Sequence, residues 1–272
     1  MDRLLVLHLE VHGSEAEAVF NGVPLARAGM AQTVATVPVH EFTLTGANEV
    51  ELVVQPGPPG AAPLSAPLSA PASEPQLSDG HCWASLRLLL PRVGSAAHPS
   101  SARTLAQIDW APPADEVYET PLSLRQAVEL PISFPRWRWL DATPIPDSPT
   151  LKADVAAYLR DIAVGLARGN AEPLIQASRL RLEELALAYQ RNLAEDVTRL
   201  RSHVQQLHAA LPLKPALPAA GKLLLRPVAG GRLLECLAPD GSPLLQSPVA
   251  GGGQAAWPLR LGAIDGRFYV LR

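Results

Sequence analysis

Apolar positions fall into three regimes along the chain. Up to about residue 54 they come in short runs and alternations, punctuated by Gly, Asn and Pro. The run at 4–10 reads as a first strand. Val19-Phe20 and Val23-Pro24-Leu25 flank Asn21-Gly22, and Asn-Gly between apolar runs of hairpin length predicts a type I′ turn, because both central residues need positive φ. Val37-Pro38-Val39, within Val37-Pro38-Val39-His40-Glu41-Phe42, predicts a further strand. So does the period-two run 48–54, where Val50, Leu52 and Val54 share one face. Strands resume at 83–90, and short ones are predicted at 104–110 and 130–134.

The second regime has helical spacing. Leu151, Val155, Tyr158, Leu159, Ile162 and Leu166 form one stripe. Asp147 or Ser148 is placed to accept from the first free N–H groups, Pro149 suits position N1, and Gly169 suits C′. Asn170 then caps a second helix that has Pro173 in its first turn. Residues 174–211 contain neither Gly nor Pro, which permits one long helix or two joined tightly. Leu193, Val197, Leu200, Val204, Leu207 and Leu211 form a seam that predicts packing against the first helix, with Leu200 in the core. Glu195, Asp196, Arg199 and Arg201 read as its solvated face. From residue 222 the pattern returns to strands: 223–228, 232–237, 243–246, 257–261 and 267–272, the last after an Asp265-Gly266 hairpin signal.

Two domains follow from this order: an N-terminal all-β sandwich at 1–143 and a C-terminal α+β domain at 150–272, joined by a Pro-rich linker at 144–149. In the second, helices pack on a curved antiparallel sheet. Within the first, residues 55–75 are rich in Pro, Ala and Ser and repeat Pro-Leu-Ser-Ala. Proline removes backbone donors and small residues bury little, so a loop at 55–80 is expected between two strands of the sandwich.

The N-terminal order, from the Asn21-Gly22 turn through Val37-Pro38-Val39 to Gly-x-Asn-x-Val-x-Leu-x-Val at 46–54, resembles the jelly-roll domains of the galactose-binding-like group. The resemblance implies a sandwich that accompanies sugar-active enzymes and carries no catalytic residue. The part from 148 to 272 resembles the nuclear-transport-factor-2-like (cystatin-like) cone, in which a curved sheet wraps an N-terminal helix. That resemblance implies a cavity at the mouth of the cone, where related isomerases use a tyrosine and a carboxylate. Tyr158 and Glu235 are the residues it would take here. The long helical stretch without an early strand departs from that family.

Composition narrows the function classes. The 272 residues are 47% hydrophobic and 18% charged, enough apolar material for packed cores. A formal charge of −3, without clustered Lys and Arg, argues against nucleic acid or anionic membranes as partners. Lys152, Lys214 and Lys222 are the only lysines among 23 basic residues, the coding bias of a GC-rich bacterial genome. The start lacks a signal-peptide pattern and no apolar run approaches membrane-spanning length, so a cytoplasmic protein is expected. Cys82 and Cys236 lie in different predicted domains and read as buried thiols.

Chemistry has few markers. No phosphate-loop, dinucleotide, nucleophile-elbow or zincin pattern occurs. His8 and His12, or His40 and Glu41, lack the further ligands a metal needs, so neither metal nor cofactor is expected. The densest aromatic and cationic cluster is Arg136-Trp137-Arg138-Trp139. In a strand it would place both tryptophans on one face, suited to stacking on a sugar, to a protein-binding hot spot, or to closing a core.

The reading is a non-enzymatic module that binds another protein, for instance a bacterial immunity or adaptor protein for a secreted effector, with Arg136, Trp137, Arg138 and Trp139 at its contact surface. A carbohydrate- or small-molecule-binding protein and a weak isomerase-like enzyme are the alternatives. Brief proteolysis should nick first within residues 56–75, where the composition offers the backbone few internal partners. Earliest cuts within 193–211 would refute the predicted organisation.

Overall fold

The computed structural model describes residues 5–55, 75–92, 97–131 and 134–272. The stretch 56–74, expected as a loop, lies outside them. Strands in antiparallel sheets dominate, with a few helices. The contacts gather the chain into two compact units, divided between Phe134 and Pro135. Residues 135–143, expected in the sandwich, therefore belong with the second unit.

The first unit holds β1 (Val6–His12), β2 (Ala16–Phe20), β3 (Val23–Ala28), β4 (Val34–Pro38), β5 (Gly46–Val54), β6 (Gln76–Leu77), β7 (Trp83–Leu90), β8 (Arg103–Trp110), β9 (Val117–Tyr118) and β10 (Leu122–Leu130). Two four-stranded sheets form, ordered β4-β1-β7-β8 and β10-β5-β2-β3. They meet face to face over Leu7, Leu9, Phe20, Leu52, Leu86 and Leu88, each 1% exposed or less. The Asn21-Gly22 turn has φ of 51° and 74°, as a type I′ hairpin requires. Asn21 also donates through Nδ2 to Phe42 O at 2.7 Å and to Asn48 Oδ1 at 2.8 Å, which ties the hairpin to the start of β5.

Two expectations change here and one holds. The strand expected at 37–39 runs instead over Val34–Pro38, and His40–Phe42 forms a 3-10 turn whose His40 Nε2 accepts the Leu5 N–H at 2.7 Å. Of the strand expected at 130–134, residues 132–133 lie outside the described residues, and a strand runs over Leu122–Leu130, paired with β5 along its whole length. Its partners are polar as well as apolar: Arg125 pairs with Glu51 at 3.0 Å, so the apolar alternation is weak. Cys82 and Cys236 are both buried free thiols, and burial pushes the Cys236 thiol far up.

The second unit opens with helices. α1 (Leu151–Ala167) is followed by α2 (Glu172–Ala177), α3 (Arg179–Ala188) and α4 (Leu193–Ala210). Neither Asp147 nor Ser148 caps α1: Thr150 stands at the N-cap without a side-chain bond, and Pro149 precedes the first turn. Gly169 does follow the C-cap with φ of 67°. Ala171, not Asn170, stands at the N-cap of α2, although Asn170 Oδ1 accepts the Glu172 N–H at 3.0 Å, and Pro173 sits in the first turn. The Gly- and Pro-free stretch breaks at Ser178 and again at 189–192, where Asn192 caps α4 by accepting from Ala194 N at 2.9 Å.

The strands that follow are β11 (Leu224–Val228), β12 (Leu233–Leu237), β13 (Leu245–Pro248), β14 (Gln254–Trp257), β15 (Leu259–Ile264) and β16 (Arg267–Val270). A four-stranded sheet runs β11-β12-β15-β16, beside the β13-β14 pair. The stripe of α1 packs with Leu234, Leu261 and Val270 of that sheet in one core. No helix among the described residues is long and apolar enough to cross a membrane.

The α4 seam is narrower than its spacing suggests. Val204 is fully buried, whereas Leu200, Val197 and Leu207 are partly buried and Leu193 is exposed. Asp196, expected on the solvated face, is 9% exposed and held by Arg191 at 3.0 Å and Arg199 at 3.2 Å. Val204→Asp should therefore destabilise the second unit by several kcal/mol, an unpaired charge in a core, and Leu200→Asp by clearly less. Thermal unfolding of the two variants checks the order; an equal or reversed effect would place Leu200 at the centre of the seam.

Candidate functional site

Of the segment singled out for partner contact, the two tryptophans are buried and the two arginines exposed. Arg138–Leu140 forms a 3-10 turn, and Trp137 and Trp139 are 1% and 2% exposed. The period-two reading fails because the segment turns at Arg138, and a distant residue packs on the Trp137 ring. The Arg272 guanidinium lies 5.0 Å from the centroid of the Trp137 ring and donates to Glu184, whose Oε2 also accepts the Arg138 N–H at 2.6 Å. Arg136 and Arg138 stay exposed, and Arg136 Nε donates to Asp141 Oδ1 at 2.7 Å. Both tryptophan side chains are buried.

An open groove of about 830 Å³ does exist in that unit. Tyr158, Asp161, Gly165 and Arg168 come to it from α1, spaced three or four apart and hence on one helical face. Pro173 and Gln176 of α2 form a second side, and Arg179 enters from the start of α3. Arg267, Phe268 and Tyr269 of β16 form the wall opposite.

Its surface is aromatic and cationic. The Tyr158 and Phe268 rings lie 5.9 Å apart, tilted at 59°. The Arg179 guanidinium sits 5.3 Å from the Tyr269 ring centroid, and its Nη2 donates to the Tyr269 hydroxyl at 3.3 Å. Arg168, Arg179 and Arg267 are all exposed, and Asp161 is the acidic residue of the lining. Burial, aided by the neighbouring Tyr269, pushes the Tyr158 hydroxyl up to about 12. It stays protonated at neutral pH and offers a donor, with its lone pairs as acceptors, rather than a base.

Of the two cavity residues the sequence suggested, Tyr158 lines the groove and Glu235 does not. Glu235 lies on β12, where its Oε1 accepts from Arg260 Nη2 at 2.7 Å and its Oε2 is 3.8 Å from Arg226 Nη1. Tyr158 and Glu235 are therefore not brought together at the groove. The three arginines were not singled out from the sequence, since each is a lone charge on a different element. Among the described residues no group of three His, Cys, Asp or Glu side chains is placed to hold a metal ion.

No family model, curated protein or solved structure matches the chain. The resemblances to jelly-roll and cone domains thus rest on element order alone.

The Tyr158 shift has a stability consequence of definite sign. A hydroxyl whose pKa is raised by folding contributes stability fully below its ordinary value of 10.0 and loses it as pH rises towards about 12. Denaturant midpoints measured from pH 9 to 12 should fall more steeply for the native chain than for Tyr158→Phe. Parallel slopes would mean that the hydroxyl is already solvated.

Proposed function

We propose that the chain is a non-enzymatic binding protein that recognises another protein, and that the groove beside β16 is where a segment of that partner lies. The observation that carries this reading is the convergence of Arg168, Arg179 and Arg267 from three elements on aromatic walls, with Asp161 as the acid among them. A cationic rim on a chain of net charge −3 is a local field suited to an acidic partner. Arginine and tyrosine are also residue types that dominate interface energy when desolvated. This moves the contact surface away from Trp137 and Trp139, which are buried.

The wider reading is of a two-domain bacterial protein acting in the cytoplasm, a jelly-roll-like sandwich followed by an α+β domain with a curved sheet. An immunity or adaptor protein for a secreted effector is one instance, since such a protein must hold its partner within the producing cell. A small molecule is the second occupant, favoured by a groove volume that falls in the range of roughly 300–1,000 Å³ usual for ligand sites.

Random-peptide display separates the two. Panning against the native chain should enrich acidic sequences, and panning against the Arg168→Glu, Arg267→Glu double variant should not. Both side chains are exposed, so the exchange should leave the fold intact. Failure to enrich any peptide, together with saturable binding of a small anionic or sugar ligand that the double variant abolishes, would overturn the protein-binding reading.

A further inference from the structure

We propose that the partner segment is an extended, acidic stretch whose backbone pairs with the free edge of β16 at Phe268; this rests on the groove being the binding surface. β16 is an outermost strand of its sheet, so among the described residues no strand lies on one side of its backbone. Which residues face that side is fixed by the hairpin turn. Asp265 and Gly266, at φ of 50° and 70°, make a two-residue type I′ connection, and the residues flanking such a turn, Ile264 and Arg267, form a hydrogen-bonded pair. Antiparallel pairs alternate, so Gly262 with Tyr269 is also hydrogen-bonded and Ala263 with Phe268 is not.

Two bonds elsewhere agree with that parity. The Leu271 N–H donates to Arg260 O at 3.0 Å, the next hydrogen-bonded position. The Ala263 carbonyl turns away from β16 and accepts the Thr143 N–H at 3.0 Å. Phe268 must therefore direct both its N–H and its C=O off the sheet, on the side without a neighbouring strand. Val270 has the same parity but is 1% exposed. Phe268 is only partly buried and lines the groove.

A paired donor and acceptor on an open strand edge match a peptide backbone, which presents a C=O and an N–H at the same spacing. A residue of the added segment opposite Arg267 would meet a guanidinium, and one that reaches across the groove would meet Arg168 or Arg179. Acidic side chains satisfy both, because opposite charges on facing positions of adjacent strands attract. The occupant is thus a protein segment with acidic residues at alternate positions.

The test uses acetylated, amidated heptapeptide pools with Glu at alternate positions and random residues between, together with the same pools fully N-methylated on the backbone. Amide exchange and chemical shifts are followed by NMR on the full chain. The unmethylated pool should shift groove resonances and slow Phe268 amide exchange about five- to tenfold, the worth of one net hydrogen bond. The N-methylated pool and the Arg168→Glu, Arg267→Glu variant should show neither effect. Groove shifts without a change at Phe268, or equal binding of the N-methylated pool, would overturn strand pairing while leaving the groove as the binding surface. Absence of groove shifts with either pool would overturn the binding surface itself.

Discussion

The second unit is organised around a carboxylate that has been taken out of water. Glu184 is 6% exposed on α3, and both its oxygens are engaged, one by the Arg138 N–H and the other by the Arg272 guanidinium. A buried ion that loses its partner typically costs about 3–5 kcal/mol, a large share of any domain's stability. Three stretches far apart in sequence must therefore arrive together: the turn after Trp137, the middle of α3, and the residues just past β16. The Trp137 ring lies under the guanidinium, so the same constraint packs an aromatic side chain. Because α3 is held to the far end of β16, its first residue, Arg179, is held over Tyr269. One wall of the groove is thus a consequence of how a buried charge is answered.

The features legible in the sequence are those whose causes are local. Asn21-Gly22, Asp265-Gly266 and Gly169 announce positive φ by residue type, and the runs at 48–54, 83–90 and 104–110 carry their period openly. What escaped has causes elsewhere in the fold. β10 is half polar because Arg125 and Ser123 answer the buried Glu51. α2, α3 and α4 are separated without Gly or Pro, and Asn192 marks the last of these starts only through its cap. Trp137 and Trp139 alternate with arginines as a strand would, yet the Pro135 flank and the demand of Glu184 for the Arg138 N–H make a turn. Of the groove, only Tyr158 was within reach, as one member of an apolar stripe.

Two glycines let the elements around α1 approach closely. A Cβ on Gly165 would lie 2.8 Å from Pro173 Cγ and 2.9 Å from Asn170 O, so any larger residue would push α2 away from α1. At Gly169, besides the positive φ, a Cβ would lie 2.8 Å from the ring of His208 on α4. The reversal between α1 and α2 is therefore as tight as backbone alone allows. It leaves Tyr158, Asp161 and Arg168 standing around a floor that no side chain of Gly165 fills.

The Asp265-Gly266 turn sets a kind of reading frame for the last strand. Side chains alternate between faces and backbone groups alternate between edges, both with a period of two, so an even loop and an odd loop are not near-equivalents. A single added residue that shifted β16 against β15 would turn the backbone of Phe268 inward and that of Tyr269 outward, and would exchange which aromatic rings meet the helices. Loop length at a solvent-exposed hairpin, a property usually free to drift, is here bound to the chemistry of a surface several residues away.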